Sequence, residues 1–203
     1  MKSVKYVIAI IIIGVVGFFG WKYFKQPEIR AEREIKTVVA FGDSLVSGIG
    51  ATEGNDLVSI LSRKIRKPII NKGVSGNTSA QGLARIDEVV ALQPDLVFVL
   101  LGGNDALQRI SRQETFSNLD TIISTLQKNG AMVVLLGIQG GPLGDPFKSE
   151  FKTLANRYKL IYVPNVLEGL FGHSDLMYDA VHPNDAGYRK MADRVYEAVK
   201  SLF

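Results

Sequence analysis

Cysteine is absent from the 203 residues, so disulfides, thiolate zinc sites and lipid-bearing cysteines are all excluded. Histidine is nearly as scarce, with only His173 and His182 in the chain. With no further histidine and no clustered carboxylates, metal ligation is the weaker reading of either ring, and no metal or cofactor is expected. Charge of one sign is not concentrated: the net charge is +4, but the lysines and arginines are scattered and no basic stripe interleaved with aromatics occurs, which argues against a nucleic-acid partner. Internal repeats and low-complexity tracts are missing too. Two glycine signatures also fail. There is no G-x-S-x-G elbow, and Gly48-Ile49-Gly50 lacks the third glycine that a dinucleotide fingerprint needs. What is present, 46% hydrophobic and 22% charged residues, suits one globular domain with a substantial core.

The longest hydrophobic run stands apart at the start. Tyr6 to Trp21 is uninterrupted apolar sequence, with Lys2 and Lys5 before it and Lys22 and Lys25 after. If Lys22 snorkels, the segment reaches Phe24, roughly 19 residues, about enough to cross a hydrocarbon core at 1.5 Å per residue. Trp21, Tyr23 and Phe24 then form an interfacial belt. A cleaved signal needs small residues just before its cut site, whereas this run continues into Phe18-Phe19-Gly20-Trp21-Lys22. Residues 1–24 are therefore expected to be an uncleaved single-pass anchor. Gly14, Gly17 and Gly20 lack the GxxxG spacing and read as ordinary membrane-helix glycines. Lysine and arginine counts alone favour a cytoplasmic domain, because the downstream flank is richer. A very short basic tail ahead of an apolar run instead resembles a signal anchor, and the outward-facing orientation is the expectation adopted. Residues 25–36 are polar and charge-mixed, cannot build a core, and read as a linker to a domain over residues 37–203.

Within that domain, apolar runs at Thr37–Phe41, Pro68–Asn71, Leu96–Leu101, Met132–Gly137 and Leu160–Val163 alternate with segments of helical period. The runs are too unbroken to be half exposed. Continuous valine, leucine and isoleucine predict strands buried on both faces, as in a parallel sheet covered by helices. Helix ends are marked as well: Ser111 with Glu114 has capping-box spacing, and Gly130 closes the same helix. Asp145-Pro146 predicts the start of a helix running to about Tyr158, and Asn184 or Asp185 the start of a last one carrying the stripe Met191, Ala192, Val195, Val199 and Leu202. Right-handed crossovers bring the carboxyl ends of parallel strands to one edge, where ligands bind.

Four motifs fall at that edge: Gly42-Asp43-Ser44-Leu45, Gly73-Val74-Ser75-Gly76-Asn77, Gly102-Gly103-Asn104-Asp105 and Asp179-Ala180-Val181-His182-Pro183. Ser44, just past the first strand, is the candidate nucleophile, and a hydroxyl attacks at neutral pH only if a base takes its proton. His182 is the candidate base, and Asp179, three residues earlier, can hold one ring nitrogen so that the other faces Ser44. His173, with no such partner, reads as a surface residue. Gly76 lets its amide approach substrate closely, and Asn104 offers a carboxamide donor. With the Ser44 amide they would make an oxyanion hole. Each motif taken singly also reads as a plain turn or helix cap. Their joint occurrence in this order is what turns and caps explain poorly.

With these blocks the chain resembles the GDSL, or SGNH-hydrolase, family of lipases and esterases, over nearly all of Thr37 to Phe203. The stretch Asn77-Thr78-Ser79-Ala80-Gln81-Gly82-Leu83-Ala84-Arg85 and Leu101 to Asp105 are most similar to the bacterial thioesterase I, lysophospholipase and arylesterase branch. The resemblance implies a three-layer α/β/α flavodoxin-like fold with a parallel sheet and a metal-free mechanism using Ser44, His182 and Asp179. It also implies acyl esters, thioesters or lysophospholipids as substrates, and an exported domain. Two departures limit it: the loop from Gly137 to Pro146 is richer in glycine than the family's, and branch members are mostly soluble after cleavage. The expectation is a membrane-anchored serine esterase of the bacterial inner membrane with its domain outside. A carbohydrate O-acetylesterase and a non-catalytic tethered binding module are the alternatives.

Overall fold

The structure, a computed structural model, describes residues 34–139 and 147–203. The expected anchor at residues 1–24, most of the expected linker and the Asp145-Pro146 helix start lie outside them. Among the described residues no helix is long and apolar enough to cross a membrane.

Residues Ile35–Phe203 form a compact unit around a five-stranded, wholly parallel sheet. In chain order it comprises β1 (Val38–Gly42), α1 (Ser44–Ser47), α2 (Leu57–Ile65), β2 (Ile69–Gly73), α3 (Ser79–Ala84), α4 (Ile86–Val90), β3 (Leu96–Leu100), α5 (Gly103–Leu107) and α6 (Arg112–Lys128). It closes with β4 (Met132–Leu136), α7 (Lys148–Tyr158), β5 (Ile161–Val163), α8 (Asp185–Val199) and a 3-10 turn over Lys200–Leu202. The sheet order is β2-β1-β3-β4-β5, so the direction of winding reverses between β1 and β3.

Strand alternation divides the core into two layers. Val38, Ala40, Leu96, Phe98, Leu100, Val134 and Leu136 face α2 and α8, while Val39, Phe41, Val97, Val99, Val133 and Leu135 face α4, α6 and α7. Both faces are covered, which is why β1 and β3 carry no polar alternation. The expectation of full burial fails at both edge strands: Ile70 of β2 is exposed, Ile161 and Tyr162 of β5 are half-buried, and each strand has one side unpaired by any strand among the described residues. Ser111 caps α6 as expected by accepting from the Glu114 amide. The reciprocal capping box, however, is made at α3, where Thr78 accepts from Gln81 and the Gln81 side chain accepts from the Thr78 amide.

The register sets the site. Gly42 pairs with Gly73 on one side and Leu100 on the other, so β1, β2 and β3 end level. The segments carrying Ser44, Gly76 and Asn104 therefore leave the sheet together, beside the reversal between β1 and β3.

Candidate active site

Ser44 is the first residue of α1 and is 8% exposed. The turn reading of its motif holds, because the Asp43 carboxylate caps α1 by accepting from the Leu45 amide at 3.0 Å. Cap and hydroxyl serve together: the cap fixes the turn that presents Ser44.

The Asp179–His182 pair is built locally. Met177 and Pro183 form an antiparallel bridge, closing a turn in which the Tyr178 amide donates to the His182 carbonyl at 2.8 Å. Asp179 Oδ1 accepts from the Val181 and His182 amides, both at 2.8 Å, and its Oδ2 lies 2.7 Å from His182 Nδ1. Partial burial pushes Asp179 upward, but the His182 ring and the two amides outweigh it and hold the carboxyl below the usual carboxylate range. His182 Nε2 lies 3.0 Å from Ser44 Oγ across 138 residues of chain.

That long-range contact is registered by further ties between the two loops. The Tyr188 hydroxyl of α8 donates to the Ile49 carbonyl at 2.8 Å, and Asp185 accepts from the Thr52 amide and hydroxyl at 2.7 and 2.6 Å. Gly50 packs so closely that a Cβ there would sit 2.5 Å from the Pro183 carbonyl oxygen. The loop after Ser44 and the loop holding His182 are thus fastened side by side. His173 is exposed and takes no part.

Donors converge opposite the imidazole. The Ser44 and Gly76 amides have no hydrogen-bond partner among the described residues and line the same cleft as Asn104 and His182. Gly76 has φ 81°, and a Cβ there would meet nothing within 4 Å, so backbone conformation and not space calls for glycine. Asn104 Nδ2 donates to the Asn77 carbonyl at 3.0 Å, and its contact to Asp43 Oδ2 is long at 3.5 Å. One amide hydrogen is therefore anchored and the other is available to the cleft. The cleft holds about 250 Å³ and is walled on the apolar side by Leu107, Ile138, Leu167 and Val181. A groove of about 290 Å³ between α6 and α7, lined by Phe116, Glu150 and Arg157 among others, contains no histidine. No group of three or more potential metal ligands occurs among the described residues.

Sequence reasoning did not find the support beneath these donors: the Asn77 carbonyl and the buried Asp43 carboxyl. Burial raises Asp43 to about 7, opposed by the Leu45 amide and the charge of His182 and reinforced by Asp105. Its ordinary value is 3.8, so the unfolded chain ionises first. Stability from this group is fully present below about pH 4, declines as pH rises, and is lost above about 7, a change of about 4 kcal/mol. Asp43→Asn keeps an acceptor for Leu45 but no ionisable group. Urea unfolding of wild type and variant at pH 4 to 8 should show the variant gaining relative stability as pH rises, whereas a constant difference would refute the assignment.

Fold and site together define a hydrolase acting on carboxylic ester bonds. The chain belongs to the GDSL-like lipase/acylhydrolase family, whose model matches residues 40–190. It is 31% identical over 179 residues to the esterase TesA of Pseudomonas aeruginosa, covering 82% of this chain and 89% of that protein. It is 28% identical over 175 residues to the thioesterase 1/protease 1/lysophospholipase L1 of Escherichia coli, covering 82% and 84%. A crystal structure of TesA superposes with a TM-score of 0.78 at 31% identity, covering 83% of this chain and all of that one (100%).

Proposed function

We propose that this chain is a membrane-anchored serine esterase that hydrolyses long-chain acyl esters, thioesters or lysophospholipids. Ser44 Oγ attacks the acyl carbonyl as His182 Nε2 takes its proton, and Asp179 stabilises the imidazolium. The tetrahedral oxyanion is held by the Ser44 and Gly76 amides and Asn104 Nδ2. His182 returns the proton to the leaving alcohol or thiol, and then activates the water that resolves the acyl-enzyme. The single observation carrying this reading is the 3.0 Å approach of His182 Nε2 to Ser44 Oγ at the mouth of a cleft with an apolar wall. The esterase and lysophospholipase names of the relatives support the substrate class.

Anchoring rests on the apolar run from Tyr6 to Trp21 and its flanking lysines, which would carry the cleft near a bilayer. An outward-facing domain is tested by a reporter fused after Phe203 that is active only outside the cytoplasm. Its inactivity there would reverse the orientation. The substrate class is tested with the full chain in detergent on p-nitrophenyl esters from acetate to palmitate. Medium and long chains should have the higher kcat/KM, while activity confined to acetate would replace the lipase reading with an O-acetylesterase.

A further inference from the structure

Arg85 joins α3 to α4, and its guanidinium, which does not line the cleft, makes three hydrogen bonds to three different residues. Its Nε donates to the Asn77 side-chain oxygen at 2.7 Å, Nη1 to the Lys72 carbonyl at 3.0 Å and Nη2 to the Gly42 carbonyl at 2.8 Å. The group also stacks 4.4 Å over the Phe41 ring, so its plane is fixed by packing as well as by its acceptors. Among the described residues no carboxylate pairs with it at ion-pair distance. A charged fork used on two backbone carbonyls and one amide oxygen serves to hold backbone in place.

The acceptors are tied to the oxyanion donors by chain position and, through the Asn77 carbonyl, by a hydrogen bond to Asn104. Gly42 ends β1 two residues before the Ser44 amide, and its carbonyl also accepts from the Val74 amide at 3.0 Å. Lys72 is the last but one residue of β2, four before Gly76. Asn77 follows Gly76 directly, and its carbonyl anchors Asn104 Nδ2 at 3.0 Å. On the reading that Ser44, Gly76 and Asn104 form the oxyanion hole, we infer that Arg85 is a positioning residue for that hole, setting the mutual placement of all three donors from outside the cleft.

The chemistry favours arginine here. A planar fork reaches three acceptors at fixed angles, whereas a lysine ammonium keeps the charge but cannot span them. Arg85→Lys therefore isolates geometry from charge. The inference rests on transition-state stabilisation, so its signature is a change in kcat with little change in KM.

The experiment uses the full chain in detergent with a p-nitrophenyl ester that wild type cleaves. Active sites are counted by the endpoint of fluorophosphonate labelling, and kcat is expressed per labelled site. Arg85→Lys should lose about 10- to 100-fold in kcat, less than outright donor loss because the donors are displaced and not removed. KM should stay within about threefold, and affinity for a trifluoromethyl ketone should fall by about the factor lost from kcat/KM. The pH dependence of kcat/KM should not move, because His182 and Asp179 are untouched. Asn77→Ala cuts one arm of the same brace while leaving the Asn77 carbonyl and both other contacts. It should lose about tenfold, and it decides the matter alone if Arg85→Lys does not fold. Per-site kcat within twofold of wild type in the measurable variants, with any loss confined to the number of labelled sites or to melting temperature, would make Arg85 a fold brace only. Ser44→Ala separates the two layers of inference. If it is inactive while the brace variants turn over normally, Arg85 alone is misassigned, and if it hydrolyses undiminished, the underlying reading fails.

Discussion

Ser44→Ala is expected to lower kcat by about five to six orders of magnitude while leaving KM for an acyl ester within a few fold. The reason is local. Alanine keeps the turn, because the cap on α1 comes from Asp43 and the left-handed stop from Gly48, neither of which uses the Ser44 hydroxyl. Only the nucleophile, 3.0 Å from His182 Nε2, is removed. His182→Ala should cost nearly as much, and the double variant little more than either, because an alcohol without its base and a base without its alcohol are equally unable to form the acyl-enzyme. Additive losses would mean that the two side chains act on separate steps. Steady-state kinetics of the three variants, with fluorophosphonate labelling absent in Ser44→Ala, provide the check.

The second large effect is at Asn104. Asn104→Ala should lower kcat by about 10²–10³, equivalent to about 2.7–4 kcal/mol of transition-state stabilisation, with KM nearly unchanged. Asn104 donates one hydrogen to the Asn77 carbonyl at 3.0 Å and contacts Asp43 only at 3.5 Å, so its truncation removes the cleft donor together with that one anchoring bond. Asn104→Asp should be worse than alanine. A carboxylate of the same shape would face both the Asn77 carbonyl and the developing oxyanion, and would sit beside the buried Asp43 carboxyl. The order asparagine, alanine, aspartate in kcat is the readout. Equal rates for alanine and asparagine would remove Asn104 from the oxyanion hole.

Much of the architecture was legible because strands and caps are encoded over a few residues. All five apolar runs became strands, with ends shifted by a residue or two, and the last helix begins at Asp185 behind the Asn184 cap. The Asp179–His182 pairing was legible for the same reason, since the carboxylate and ring belong to one four-residue turn closed by its own amides. Burial of β2 and β5 was misjudged because the runs Pro68 to Asn71 and Leu160 to Val163 carry no mark of their position in the sheet, and an edge is defined by the strand that is missing beside it. The capping box at Thr78 and Gln81 has the same spacing as the one expected at Ser111, and which of the two closes reciprocally depends on how each helix start is packed.

From the chain alone came the candidate reacting groups: one serine after the first strand, one histidine of two with an aspartate at hand, a glycine amide and an asparagine in order. Those are properties of residue type and short spacing. Tertiary structure alone decided that Ser44 and His182 meet across 138 residues, that Asp43 is buried deeply enough to titrate near 7, and that Arg85 ties the exits of β1 and β2 together with three hydrogen bonds. These depend on which strand ends stand level in the sheet and on how much water the packed layers exclude, and both are set by contacts between segments far apart in the chain.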